Sequence, residues 1–311
     1  SRSGDHAPVC QNSGYTEYVA WHAREFLAQF DENSIYTDVD RLVPCDNRLH
    51  GCGTTDALGR AMPTYHIAAR REFYKRLATV CRNAEGGLPP RGYLMCHAHD
   101  NLVLPYHSFA DLFYPGEQYA NDIFKNRYFY MDDLDPVAWR AELRGKAAGI
   151  PHILLNQFVR GSNDPGDIET PEYTESLHAM GLLNDIKTNR GHQSNDRAMV
   201  ELWALRERLG LDEDDLEFVA YWRKDAPVEA TTPKAEASLY KTSKGTQVVV
   251  ANFAPEKREI EVTIDRKALK LEDVALDPVE QRTGAKVPMV DNNTIRVPVE
   301  GRTYAIVTLA E

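Results

Sequence analysis

In the first two thirds of this 311-residue chain, short apolar runs stop repeatedly on acids, histidines and amides. NSIYTDVDR ends on Asp38 and Asp40, and a spacing of two puts both carboxylates on one face of an extended strand. GYLMCHAHD ends on His97, His99 and Asp100; SFADLFYPGEQY supplies Asp111 and Glu117. PHILLNQF and MGLLNDI supply Asn156, Gln157, Asn184 and Asp185. Carboxylates that share a rim can divide acid–base work: one attacks or activates water, and the other stays protonated to release the leaving group. Each group taken alone has a structural explanation as well. Asp38 and Asp40 can cap the next loop or pair with Arg41, Glu117 after Pro-Gly suits a first helical turn, and at least one of the two histidines is expected in the core or rim. Convergence of several such ends is what favours chemistry.

Groups scattered over so many strand ends need a scaffold that gathers them. Helical periodicity over Thr16–Phe30, with Tyr18, Trp21, Phe26, Leu27 and Phe30 near one side, alternates with strand-like Asn33–Asp40, then with a helix over Tyr65–Asn83 and the strand RGYLMCHAH. Ser108–Phe113, Pro151–Phe158 and Met180–Ile186 read as further strand ends, and Asp196–Leu209 as an amphipathic helix. This is the pattern of β-α units around a parallel sheet, in which catalytic groups sit at the C-terminal strand ends. From Phe218 the pattern changes: ASLYKTSKGTQVVVANF, KREIEVTID, NTIRVPV and TYAIVTLAE alternate apolar and polar residues between turns, as in an antiparallel sandwich. Its inner face is expected to include Leu239, Val248, Val250, Ile260, Val262, Ile295 and Ile306. The expected organisation is an α/β barrel of the (β/α)8 TIM type over 1–215 and a C-terminal β-sandwich over 216–311, with YWRKDAPVEATTPKAE crossing between them. A full barrel needs eight units over about 250 residues. Five strand ends lead to the expectation of a barrel incomplete at its N-terminus, completed by an N-terminal segment or a second chain.

Composition narrows the partners. With 47 acidic against 36 basic residues and a formal charge of -11, the chain repels phosphate backbones, so nucleic acid is not an expected partner. No apolar run approaches the ~20 residues of a bilayer span, and no membrane partner is expected. The chain opens on Ser1 without an initiator methionine or signal peptide, which reads as a processed or truncated end. Five cysteines (Cys10, Cys45, Cys52, Cys81, Cys96) are too few for a disulfide scaffold. Cys45 and Cys52 allow a short disulfide, the favoured reading for an exported protein, or a soft metal site with Cys10 or Cys96; Cys81 reads as a buried apolar filler.

The stretch IYTDVDRLVPCDNRLHGCG, followed by SFADLFYPGEQY, an FVAYWR segment and a sandwich, resembles bacterial glycoside-hydrolase-like barrel proteins related to glycoside hydrolase family 123. The resemblance implies a carbohydrate substrate, no cofactor and a secreted or periplasmic location. It also makes APVCQNSGY the end of the third barrel strand and IYTDVD the fourth. One departure matters: the adjacent Asp-Glu pair of substrate-assisted hexosaminidases is absent after IYT, where Asp38-Val39-Asp40 stands instead, so N-acetylgalactosaminidase activity is not carried over. An ordinary two-carboxylate glycosidase fits better, with Asp38 as nucleophile or base, Glu117 as acid, and Asp40 and Asp111 as their rivals. His97, His99, Asn156 and Asp185 would bind sugar hydroxyls, and Tyr106 and Tyr114 would form stacking walls. Two alternatives stay open: a non-catalytic carbohydrate-binding or assembly protein, and a metal-dependent hydrolase or lyase using Cys45, His50, Cys52 or the HAHD cluster.

Overall fold

A computed structural model describes residues 9–85, 91–98, 102–146, 149–156, 170–189 and 194–310. The chain forms two compact units, one of Ser1–Pro115 with Lys146–Ile153 and one of Gly116–Gly145 with Leu154–Glu311.

In the first unit the order is α1 (Tyr15–Phe30), β1 (Ile35–Asp40), the small hairpin β2 (Thr54–Thr55) and β3 (Ala61–Met62), α2 (Ile67–Asn83), β4 (Leu94–Ala98), α3 (Leu104–His107) and β5 (Leu112–Tyr114). Strands β1, β4 and β5 lie parallel in that order, and Phe113 forms a parallel bridge to His152. Alternation along these strands sorts the side chains. Cys96 and Phe113 join Phe73, Tyr74, Leu77 and Cys81 in one core, and Thr37 meets the Tyr74 hydroxyl at 3.3 Å. Tyr36, Asp38, His97 and Tyr114 take the other parity.

Two expectations fail here. The aromatic stripe of α1 does not face the core, because Tyr18, Trp21, Phe26 and Phe30 are 52–60% exposed. The packing face is instead Tyr15, Val19, Ala23 and Leu27, recurring every four residues, whose smaller side chains fit against the core around α2 while Tyr15 stacks on Phe73. The segment around Val9 and Cys10 has no strand among the described residues. An open arc is found, and no closed eight-stranded barrel is present among the described residues.

The second unit begins with three short helices, α4 (Ala120–Lys125), α5 (Phe129–Asp132) and α6 (Pro136–Ala141). After β6 (Ile153–Leu154) come α7 (Pro171–Leu183), β7 (Lys187–Thr188) and α8 (Asp196–Leu209). Asn195 caps α8 by accepting from the Ala198 N–H, and Gly210 closes it in the left-handed region at φ 68°. Met180–Ile186, expected as a strand end, is the last turn of α7 and its exit. Every residue from Ser176 to Leu183 is buried, so the helix loses the amphipathic period and reads as an apolar run.

The remaining residues form two antiparallel sheets: β13 (Val279–Glu280), β15 (Tyr304–Ala310), β11 (Gly245–Asn252), β10 (Ala235–Thr242) and β8 (Glu217–Val219) in one, and β14 (Thr294–Val299), β12 (Arg258–Ile264) and β9 (Val228–Ala230) in the other. Leu239, Val248, Val250, Ile260, Val262 and Ile295 form the core between them, as expected. Ile306 does not: with Val249, Ala251, Tyr240 and Tyr304 it packs on the outer face against Leu177, Met180 and Leu183 of α7. The larger sheet is therefore covered on both faces, and Val248-Val249-Val250 is apolar in both directions. Two hydroxyls fasten that outer face, Tyr240 to the Leu182 carbonyl at 2.5 Å and Ser238 to that of Leu183 at 2.9 Å, satisfying carbonyls at the C-terminus of α7. The segment expected as a crossing connection contributes β9 to the smaller sheet.

Candidate active site

At the C-terminal end of β1, Asp38 projects into solvent with its side chain 62% exposed. Two groups orient it. His97 Nδ1 on β4 lies 2.5 Å from Asp38 Oδ1, and the Tyr36 hydroxyl donates to the same oxygen at 3.2 Å. Period-two alternation places Tyr36 and Asp38 on one face, and register with β4 sets His97 beside them. The Tyr36 ring stacks on the His97 ring at 6.1 Å and 15°, and Tyr114, at the end of β5, lies 5.9 Å from His97 and 6.4 Å from Tyr36. The result is an exposed carboxylate held by two donors beside three rings, all at the end of the sheet where barrels place chemistry.

Asp40, two residues on, is in a different environment. It is 3% exposed, pairs with Arg70 of α2, and lies 2.7 Å from His107 Nε2 on α3. The Val103 N–H donates to His107 Nδ1 at 2.8 Å, which requires an unprotonated nitrogen there and leaves Nε2–H to donate to Asp40. Burial, with the nearby Arg70 charge, pushes the His107 pKa down to about 3, so the ring is neutral. Arg70 also lies over the rings of Phe73, Tyr74 and Tyr106 at 5.3–5.8 Å. Asp40 thus locks the end of β1 onto α2 and α3. Asp111 lies at the other end of the sheet: one oxygen accepts from the Leu94 N–H, where β4 begins, at 3.0 Å, and the other faces Arg82 at 3.2 Å and Arg91 at 3.4 Å.

The remaining candidates separate. Tyr106 is 1% exposed, inside the core of the first unit. His99 and Asp100 lie outside the described residues, as does Gln157. Glu117 follows Gly116 at the start of a short 3-10 turn, is partly exposed and belongs to the second unit. Gly116 holds φ 130°, and a Cβ there would meet the Leu155 carbonyl at 2.3 Å, so the turn that presents Glu117 depends on glycine. Asn156 is buried and its amide donates to the Ser194 hydroxyl. Asp185 sits at φ 54° after α7, on the helix-to-strand side of β7, the side opposite the catalytic ends in a barrel. Tyr36, an orienting group for Asp38, was legible as its period-two neighbour. No sequence signal marked Arg70 and His107, which reach Asp40 only through tertiary packing. Among the described residues, one group can hold a metal: Cys10, Cys45, His50 and Cys52.

Residues 198–284 match the family model of the glycoside hydrolase 123 C-terminal domain. That match runs from within α8 past β13 and contains the YWR junction, while the PCDNRLHGCG stretch lies outside it. No curated protein sequence matches the chain. Among solved structures, a maltogenic α-amylase AmyB from Thermotoga neapolitana aligns with TM-score 0.56 and 13% identity over 98% of this chain and 68% of its own. An α-amylase from Geobacillus thermoleovorans, complexed with acarbose, gives 0.53 and 11% over 97% and 66%. The α-galactosidase I of Mortierella vinacea gives 0.52 and 10% over 95% and 72%. The chain thus spans about two thirds of the length of these structures. At such identities the likeness is one of fold, that of barrel proteins with a C-terminal β-rich domain.

Proposed function

We infer that the protein is a glycoside hydrolase in which Asp38 serves as nucleophile or general base and Glu117 as general acid. The observation that carries this reading is the setting of Asp38, an exposed carboxylate with one oxygen fixed by His97 and Tyr36 at the C-terminal end of a parallel strand. Two donors on one oxygen restrict its rotation, and the side chain as a whole stays open to water, as attack or activation of water requires. The Tyr36 ring, exposed beside Asp38, offers an apolar face for the C–H surface of a sugar, in keeping with a carbohydrate substrate, whereas Tyr114, expected as a stacking wall, is buried behind it. The family match and the fold shared with amylases and a galactosidase support the same class. Glu117, at the turn that follows β5, is the acid of this proposal because the Gly116 turn presents a partly exposed carboxylate there. Asp40 takes no part, because Arg70 and His107 hold its carboxylate in the core.

The test is hydrolysis of a panel of nitrophenyl α- and β-glycosides and short oligosaccharides by the purified chain. Asp38→Asn should lower kcat by about 10²- to 10⁴-fold with an unchanged melting midpoint. Glu117→Gln should lose activity chiefly on substrates with poor leaving groups. Sugar binding without turnover by the native chain, or full turnover by Asp38→Asn, would overturn the assignment.

A further inference from the structure

The loop after β1 brings together a second set of reactive side chains that the carboxylate chemistry does not use. One ligand atom from each of Cys10, Cys45, His50 and Cys52 lies within 4.8 Å of the other three. The Cys10 and Cys52 sulfurs are 3.5 Å apart, Cys45 Sγ is 3.9 Å from His50 Nε2, and Cys52 Sγ is 3.0 Å from His50 Nδ1. Zinc bound tetrahedrally, with Zn–S about 2.3 Å and Zn–N about 2.0 Å, spaces its ligand atoms roughly 3.5–3.8 Å apart. All three cysteines are free thiols, so the Cys45–Cys52 disulfide expected from sequence is not formed.

The backbone is shaped around this cluster. Asn47 caps the turn Arg48–His50 by accepting from the Leu49 N–H at 3.0 Å, and its carbonyl accepts from the Cys52 N–H at 3.1 Å. Cys52 stands between Gly51 and Gly53, at φ 76° and 79°, and a Cβ on Gly53 would come within 3.0 Å of the Asp46 backbone. The Asn12 amide donates to the His50 carbonyl at 2.8 Å, tying the Cys10 arm to the same loop. Leu49 and Leu58 are 96% and 76% exposed, so the loop's leucines build it no core of its own.

We propose that Cys10, Cys45, His50 and Cys52 bind one zinc ion in a closed Cys3His site that pins the segment before α1 to the loop after β1. Four protein ligands leave no position for water or substrate, which makes the site structural and its existence independent of the glycosidase assignment. Its ligands come from segments 35 residues apart, from Cys10 to Cys45, so the ion does the cross-linking that a core would otherwise do.

The test uses the full chain purified under reducing conditions. Elemental analysis should find about one zinc per chain. After chelation, titration with Co(II) should produce thiolate-to-cobalt charge-transfer and tetrahedral d–d absorption that Zn(II) abolishes. Chelation should lower the melting midpoint by about 5 °C or more, and added Zn(II) should restore it. Cys45→Ser and His50→Ala should lose the ion, whereas His50→Cys should keep it, because four thiolates also make a good zinc site. Three results would each defeat the proposal. The reduced native chain takes up neither metal; Cys45→Ser retains zinc at the native level; or intact mass shows a Cys10–Cys52 disulfide that persists in metal-supplemented, reduced protein.

Discussion

The parallel arc of the first unit and the larger sheet of the second use similar apolar residues but treat their two faces differently. In the arc, Cys96 and Phe113 face a helix-backed core, while the opposite parity carries Asp38 and Tyr36, both open to water, beside the buried His97 and Tyr114. In the larger sheet, Val248 and Val250 meet the smaller sheet while Val249 and Ala251 meet α7, and all four are fully buried. A sheet buried on both sides can contribute stability but has no surface on which to hold a reacting group. A sheet whose second face is open in part can position a carboxylate there, provided that the neighbouring residues lock the strand. Within the single strand β1, Asp38 is exposed and Asp40 is buried against Arg70 and His107.

That division can be broken most visibly at the two aspartates. Asp38→Ala should abolish most hydrolysis, by about 10²-fold or more, and leave the denaturation midpoint almost unchanged. Asp40→Ala should do the reverse in kind: it leaves Arg70 and His107 buried without their carboxylate and should destabilise the protein by about 3–5 kcal/mol. If urea denaturation shows equal losses for the two variants, the two aspartates do not differ in role as the geometry requires.

The two-faced character of the larger sheet is tested by Ile306→Ala and Ile260→Ala. Both side chains are fully buried, one against α7 and one between the sheets, and each truncation should cost about 2–5 kcal/mol. A cost for Ile306→Ala below about 1 kcal/mol, the range of a half-exposed position, would mean that the outer face is not sealed.

The smallest effect per step is in pH. His107 in the first unit and His178 in the second are both pushed down to about 3, chiefly by burial, so both are neutral when folded. Their unfolded values are near 6.5. The unfolded chain therefore gains protons below about pH 6.5 that the folded chain refuses until about pH 3. The stabilisation is fully present above pH 6.5 and falls as pH drops, by about 1.4 kcal/mol per pH unit for each histidine. Denaturant midpoints measured between pH 7 and 5 should show this slope, and His178→Leu should remove about half of it; an unaltered slope in that variant would show that His178 is not a buried neutral ring in the native state.

Much of the secondary structure was legible because single-face burial writes a period into the sequence. KREIEVTID alternates, and β12 buries Ile260, Val262 and Ile264; Asp196–Leu209 carries its cap residues and a helical stripe, and α8 has those bounds. Where burial is two-sided the period vanishes, which is why Met180–Ile186 read as a strand and Ile306 was placed on the wrong face of its sheet. On α1 a stripe existed but misled, since close packing selected Val19 and Ala23 over the bulkier aromatics. Within the site, strand-end acids were visible as types and spacings, and Asp38 was among them. That Asp40 is paired, that Asp111 lies at the far end of the sheet and that Tyr106 is core could not be seen, because each depends on a partner 17 to 67 residues away.

By itself the sequence determined the α/β-then-β order of the elements, the acidic balance, and the identity of the groups able to do chemistry. Those properties are local: a residue's type, its spacing to the next and the turn that follows. Only the tertiary structure decided which carboxylate is open, which is locked, and which thiols meet around one point. Accessibility and long-range pairing depend on what packs against a residue, and residues 35 apart, such as Cys10 and Cys45, carry no local mark of their meeting.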